Sequence, residues 1–247
     1  TLSALIGSDR LSSLAPEAGI AAAGVHRSHH FGQAGYHVEQ LAACDLIGLV
    51  FGNSPKAIAP WGGSQGVFGT NPIAFAAPRR SGPPLVIDLS LSKVARGKIM
   101  VAAKQGQPIP EGWALDSSGN PTTDAEAAMQ GTMLPMGDAK GAALVLMVEI
   151  LSAALTGARF GFEASSFFTA EGEPPAVGQF LVAIDPRVFS GDTFLHRLDI
   201  LIGAILEQQG TRLPGARRFE QREESARNGV SIPAALHEEL KLLSETA

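Results

Sequence analysis

The stretch Arg27-Ser28-His29-His30-Phe31-Gly32-Gln33-Ala34-Gly35 packs histidines, a hydroxyl and two glycines into a span too short to be core. The short apolar run before it, Gly19 to Val25, reads as a buried strand, and Tyr36 to Cys44 after it reads as a helix. The histidines therefore stand at a strand-to-helix turn, where backbone N–H groups lack partners and a ligand can approach. The same pattern recurs along the chain. Leu46 to Phe51 is an apolar run of strand length that ends in Gly52-Asn53-Ser54-Pro55. Ile73 to Ala77 is entered through Gly69-Thr70-Asn71-Pro72, and Leu85-Val86-Ile87 runs into Asp88-Leu89-Ser90. Four strands with polar ends point to one sheet with a site along its rim.

At 247 residues, with 45% apolar and 17% charged side chains, the chain is long enough to bury a substantial core. A net charge of -5 argues against a nucleic-acid partner, which normally calls for a basic excess with interleaved aromatics. A small anionic ligand needs only a local basic patch. The single cysteine, Cys44, excludes an internal disulfide and suits a reducing, cytoplasmic setting; it is expected to be a buried structural thiol. No apolar run approaches the length of a membrane span, so no membrane partner is expected. The first residue is Thr1 rather than methionine, and the chain is expected to begin within a longer protein.

Thr1 to Ala23 is mixed helical sequence broken by Pro16 and Gly19. Lys93 to Lys104 reads as a helix carrying Lys93, Arg96, Lys98 and Lys104 in an otherwise acidic chain, with Lys98 and Lys104 on a solvated face. Gln105 to Asp124 reads as a long loop holding Trp113. Leu134 to Gly141 opens a helix whose apolar positions Leu144, Met147, Val148, Leu151 and Leu155 keep the helical period and which stops at Thr156-Gly157. Phe160 to Pro175 is irregular, Val177 to Ile184 is a strand closed by Asp185-Pro186, and helices near 194–208, 218–227 and 233–244 finish the chain.

Gly62-Gly63-Ser64-Gln65-Gly66 matches a nucleophile elbow in spelling, but that turn needs a strand before the serine and a helix after it. Here Pro60-Trp61 precedes, and Val67-Phe68-Gly69 leads into another turn, so the motif is a glycine loop. His26, His29 and His30 lack a nearby third ligand, which ranks a hydrogen-bonding or helix-capping role above zinc; no metal site is expected. Neither G-x-G-x-x-G nor G-x-x-x-x-G-K-[ST] occurs in a strand-to-helix setting. Lys140 falls in the first turn of a helix, where the macrodipole opposes a cation unless an anion shares that end. Asp88, Ser90 and Ser92 follow a strand, where hydroxyls either cap the next helix or bind a ribose or phosphate. Arg96, followed by the small Gly97, suits a carboxylate clamp.

Taken together, these segments resemble the type-2 malate/L-lactate dehydrogenase family. The matching pieces run in order: SHHFGQAGY at 28–36, NSP at 53–55, GTNPIAFAAP at 69–78, DLS at 88–90, ARGKI at 95–99, IPEGWALD at 109–116, LPMGDAKG at 134–141, LTGA at 155–158, GQFLVAIDP at 178–186 and RLPGARR at 212–218. The resemblance implies a mixed α/β, non-Rossmann fold, with a largely antiparallel mixed sheet flanked by helices and C-terminal helices following it. It implies a dinucleotide-binding and substrate domain over 1–190, a C-terminal helical segment over 191–247, and a homodimer with the site near the subunit boundary. The dinucleotide, NADP or NAD, would meet His30, Phe31, Gly32, Gln33, Ala34, Asp88, Leu89, Ser90, Ala139, Lys140, Pro214, Gly215, Arg217 and Arg218. A 2-oxo or 2-hydroxy acid of the malate, lactate or sulfolactate type would meet Thr70, Arg96 and Gly97. The basic set Lys140, Arg217 and Arg218 tilts the expectation towards NADPH. The family's Ser-His-Gly motif, whose histidine donates the proton, does not occur in this sequence, so the catalytic acid is expected upstream and the chain is expected to be a fragment. Reduction of a cyclic imine and binding of a dinucleotide without turnover are the alternatives.

Overall fold

The apolar runs on either side of the histidine turn become the frame of a five-stranded sheet in the computed structural model, which describes residues 2–169 and 172–245. Helix α1 (Leu2–Ala18) leads into β1 (Ile20–Ser28), and α2 (Ala34–Ala42) leads into β2 (Ile47–Gly52). The next strands, β3 (Ile73–Ala77) and β4 (Leu85–Leu89), complete one edge. A lobe follows, made of α3 (Arg96–Lys104), the short strands β5 (Ala114–Leu115) and β6 (Pro121–Thr122), α4 (Ala125–Gln130) and β7 (Thr132–Met133). Then α5 (Asp138–Glu149) runs into a π-helical turn over Ile150–Ala154, and the chain returns to the sheet centre as β8 (Val177–Ile184). Last come α6 (Pro186–Ser190), α7 (Thr193–Leu206), α8 (Ala216–Asn228) and α9 (Ala234–Glu245).

The sheet order is β1-β8-β2-β3-β4 and every pairing in it is antiparallel. This is the non-Rossmann α/β fold that the resemblance implies. Parallel pairing is confined, among the described residues, to one isolated bridge between Ile58 and Met133. A second, three-stranded sheet, β6-β5-β7, stands where a loop over 105–124 was expected; its strands are two residues long, too short to show any alternation in sequence.

Both faces of the large sheet are covered. Val38 and Leu41 of α2, Leu11 of α1, and Val50, Ala74, Val86 and Leu181 of the strands form one core. Complete burial of a Val or Leu side chain contributes roughly 1.5–3 kcal/mol, so these few residues already fix the position of α2. Gly48 lets that helix approach, because a Cβ there would lie 3.0 Å from the Leu41 side chain and 3.2 Å from the Val38 Cα. On the other face Phe51, Ile58, Leu91, Ile99, Val145 and Val148 join the lobe to the sheet. Along β2, Val50 and Phe51 thus enter opposite cores, as the two-residue period of a strand requires.

Three further sequence expectations change. The first segment is one helix to Ala18, with Pro16 in its last turn and the strand starting only at Ile20. The helix expected from Lys93 begins at Arg96, and Ala95 is its N-cap. Cys44 is exposed, because α2 ends at Ala42 and the chain turns through Asp45 at φ +60°. Of the stretch read as irregular from 160 to 175, residues 170 and 171 lie outside the described residues. So do residue 1 and residues 246–247 at the outer ends of the two segments expected over 1–190 and 191–247. No helix of the described residues is long and apolar enough to cross a membrane.

Candidate active site

The register brings the polar strand ends to one rim. Ser28 pairs with Val177, Gly52 with Gln179, Phe51 with Ile73 and Ile73 with Leu89, so the exits of β1, β2 and β4 and the entries of β3 and β8 lie side by side. A bulge between Val25 and Ser28, with Arg27 at φ +51°, breaks the ladder just before the histidines and redirects the chain.

A cleft of about 520 Å³ opens at this rim. Its walls are the histidine turn, the Asn53 to Ala57 turn, Thr70 and Pro72, Arg96, and the segment carrying Phe167 and Phe168. The Ser54 hydroxyl accepts the Thr70 N–H at 3.0 Å and lies 3.4 Å from the Thr70 hydroxyl, which ties the two turns together. Phe31 packs edge-on over Gly52, where a Cβ would lie 2.7 Å from its ring. Phe167 stacks on His29 at 5.1 Å and meets His30 edge-on at 5.4 Å. Both histidines use Nδ1 as an acceptor, His29 from the His30 N–H at 2.8 Å and His30 from the Gly32 N–H at 3.1 Å. A neutral ring with Nδ1 accepting carries its proton on Nε2. Burial, with His29 alongside, lowers the His30 pKa below the usual histidine value, which keeps the ring neutral at pH 7.

Two cations line this cleft, Lys56 and the more buried Arg96. One terminal N–H of Arg96 reaches the Met129 carbonyl at 3.5 Å, and the guanidinium carbon sits 5.9 Å from the centre of the Phe168 ring. The Nε atom is buried without a partner, and no carboxylate pairs with Arg96 among the described residues. Burial lowers its pKa, although an arginine remains charged. A half-desolvated cation with an unused donor, facing a cleft lined by no Asp or Glu, is arranged for an anion.

Beneath the cleft floor Glu149 accepts the Asn53 amide at 3.1 Å, the Asn71 amide at 2.8 Å and the Gly161 N–H at 2.7 Å. Asn53 in turn donates to the Arg159 carbonyl and accepts the Gly178 N–H, while Asn71 donates to the Val145 carbonyl. Burial raises the Glu149 pKa, and the three donors act against that rise. This node holds the residues next to Ser54 and Thr70 in place, with Asn71 at φ +39°, a conformation Asn tolerates.

Further along the rim lies a second group. The Asp88 carboxylate accepts the Gly35 N–H at 2.9 Å and pairs with Arg218 at 3.6 Å. A Cβ at Gly35 would lie 2.4 Å from one Arg218 nitrogen and 2.7 Å from the Asp88 carboxylate, so a larger residue there would displace this pair. That arginine nitrogen is buried without a partner. Gly215, at φ +80°, caps α8 against the Val86 carbonyl, which a Cβ would approach to 2.7 Å. At the neighbouring Leu91, the carbonyl accepts the Met136 N–H just before α5. The first turns of α2 and α8 therefore meet β4, and the approach to α5 meets the chain two residues beyond it; aligned N–H groups at such helix ends favour an anion.

A model of the malate/L-lactate dehydrogenase family matches residues 2–241. The chain belongs to this family. It is 56% identical over 235 residues to a (2R)-3-sulfolactate dehydrogenase (NADP(+)) of Chromohalobacter salexigens, covering 95% of this chain and 70% of that protein. It is 46% identical over 243 residues to a Δ1-pyrroline-2-carboxylate/Δ1-piperideine-2-carboxylate reductase of Pseudomonas aeruginosa, covering 97% and 72%. Among solved structures, a sulfolactate dehydrogenase of Methanocaldococcus jannaschii superimposes with a TM-score of 0.90 at 32% identity, over 98% of this chain and 71% of that one.

Within this malate/L-lactate dehydrogenase family chain, the residues expected to bind ligand fall into two sets. His30, Phe31, Gly32, Thr70 and Arg96 come together in the cleft. Asp88, Gly215 and Arg218 cluster at the end of β4, beside the first turn of α2; Ala34 of that turn is buried. Leu89, Gln33, Ala139, Lys140, Pro214 and Arg217 are exposed, and Gly97 stands beside Arg96 with open space around it. The Ser90 hydroxyl lies 2.9 Å from that of Ser92, whose own hydroxyl donates to the Val94 carbonyl and so shapes the approach to α3. Sequence reading missed Lys56, Phe167, Phe168 and Glu149. For Lys56 the signal was present in the Asn-Ser-Pro-Lys turn at a strand end; for Glu149 there was none.

Proposed function

We propose that this chain catalyses hydride transfer between NADP(H) and C2 of a small 2-hydroxy or 2-oxo acid. The observation that carries the reading is Arg96, a half-buried guanidinium with an unpaired Nε and no carboxylate partner among the described residues, in a cleft of suitable size beside hydroxyls and the neutral His30 imidazole. In this reading Arg96 holds the substrate carboxylate. Ser54 and Thr70 border the reacting carbon, and His30 offers an Nε2–H for a carbonyl oxygen. The aromatic rings of Phe31, Phe167 and Phe168 exclude water, which strengthens each of these contacts. The dinucleotide, when bound, supplies or accepts the hydride. The residues at the end of β4 fit such a group: Arg218 has a buried nitrogen in need of an acceptor, and Gly215 lets the first turn of α8, which carries that arginine, pack closely against Val86. Arg218, Arg217 and Lys140 would hold its phosphates, and their charge, with the NADP(+) in the name of the C. salexigens relative, supports NADP over NAD.

The test is oxidation of NADPH and NADH, followed by nicotinamide absorbance, with pyruvate, oxaloacetate and 3-sulfopyruvate. Turnover of a 2-oxo acid with NADPH supports the reading; no oxidation with any of them removes it. Δ1-Pyrroline-2-carboxylate belongs in the same panel, because the P. aeruginosa relative and the aromatic wall favour cyclic imine reduction as the second reading. A cytoplasmic setting, a division near residue 190 and a homodimer belong to the proposal as well. The homodimer is supported by Leu144, Met147, Ile150 and Leu155, which stand exposed along α5 and the turn after it, and light scattering would test it.

A further inference from the structure

Arg96 and Lys56 border a second pocket as well as the cleft. It has a volume of about 280 Å³, and its other walls include Ser64, Gln65, Gln130 and Thr132. In a chain of net charge -5, neither pocket is lined by an Asp or Glu, and the two cations stand where they adjoin. Lys56 has no ion-pair partner among the described residues. Thr132 is 5% exposed and its hydroxyl is buried without a hydrogen-bond partner, a cost that a ligand oxygen would remove. The Gly-Gly-Ser-Gln-Gly loop, which resembles a nucleophile elbow only in spelling, brings Ser64 and Gln65 to the same wall and supplies neutral polar groups. The carboxyl end of the short α4 also lines this pocket, but its partial negative charge is set against two full cations.

We infer that this second pocket is a subsite for a second anionic group, a sulfonate or carboxylate, at the far end of the substrate, with Lys56 and Thr132 as the residues that select for it. Arg96 then serves the carboxylate beside C2, and Lys56 the distal charge. This rests on the proposed 2-oxo acid chemistry, so its test is a binding experiment that requires no turnover. Calorimetry on the intact chain compares 3-sulfopropionate with propionate, two unreactive acids differing in the distal group. At least tenfold tighter binding of 3-sulfopropionate is expected, reduced to less than threefold in Lys56→Met, with propionate binding unchanged. Thr132→Val keeps the shape of the side chain and removes the unpaired hydroxyl; it should weaken 3-sulfopropionate severalfold while leaving the melting temperature equal or higher. Equal binding of the two acids, or a preference that survives Lys56→Met, overturns the assignment. So does inorganic sulfate binding that Lys56→Met abolishes without any preference for 3-sulfopropionate, since the pocket would then serve a free anion. Failure of the proposed chemistry is a separate result: it shows as absent NADPH oxidation, whatever the binding preference.

Discussion

The two ends of the rim hold charge in different ways. At the cleft, Arg96 stands half-buried among aromatic rings, above a buried node in which Glu149 satisfies two asparagine amides and a backbone N–H. At the end of β4, Arg217 and Lys140 are exposed, and only the Asp88 to Arg218 pair is partly enclosed. An ion held in a drier setting acts more strongly on a ligand, because the local dielectric is lower and fewer waters compete. It also needs more scaffolding, since every buried polar group around it has to be paired. The cleft is therefore the end where single substitutions cost most, and the β4 end is where several weak contacts share the work.

The sharpest way to break this contrast is at Glu149. Glu149→Ala leaves the Asn53 and Asn71 amides and the Gly161 N–H facing an empty volume, and should destabilise the fold by about 3–5 kcal/mol, the range for removing one partner of a buried charged network. Chemical denaturation measures it, and a loss below about 1 kcal/mol would show that the node does not hold the cleft floor. Glu149→Gln keeps the shape and tests the charge. Burial raises the carboxyl pKa in the folded chain above the ordinary 4.5. Below that value both states are protonated and no stability is lost. As pH rises the unfolded chain ionises first, so wild-type stability declines until the raised folded pKa is passed. Glu149→Gln should lack that decline.

Arg96→Lys comes next. A lysine cannot reproduce two parallel hydrogen bonds to a carboxylate, so kcat/KM for the 2-oxo acid should fall about 100-fold, near 3 kcal/mol, with NADPH affinity unchanged. Loss of NADPH affinity with substrate KM preserved would move Arg96 to the phosphate end and erase the contrast. At the β4 end the matching structural test is Gly215→Ala. The left-handed φ of +80° and the Val86 carbonyl at 2.7 Å oppose a Cβ, so a loss of roughly 1–3 kcal/mol is expected. An unchanged melting temperature would show that α8 can shift its first turn without cost.

How much of this was open to sequence reading follows the same division. Strand runs bounded by Gly, Pro and Asn at 46–55 and 69–77 were legible because both the signal and its cause are local. The place of Arg96 at the start of a helix was legible for the same reason. Glu149 was not: it sits in an apolar helix, 96 residues from Asn53 and 78 from Asn71 in sequence, and only the fold brings the three together. The two-residue strands β5, β6 and β7 carry no period to read, and the exposure of Cys44 depends on α2 stopping two residues early. Phe167 and Phe168 read as irregular sequence, and what gives them a role lies far away in the chain, His29 and His30 for Phe167 and Arg96 for Phe168.

Lys140 should show the smallest effect and the most informative sign. It lies in the first turn of α5, exposed and without an ion-pair partner among the described residues, where the helix dipole disfavours a cation. Removing it should leave the chain without dinucleotide equally stable or steadier by a few tenths of a kcal/mol, up to about 1. An exposed cation meeting a phosphate is screened by water, so Lys140→Ala should weaken NADPH binding only about fivefold, close to 1 kcal/mol. Fluorescence titration of the nicotinamide and thermal melts, run on the same preparation, read the two quantities together. Weaker binding with equal or higher stability identifies a residue kept for its ligand. Unchanged binding with a lower melting temperature would make Lys140 a structural residue and leave Arg217 and Arg218 as the cations of that end.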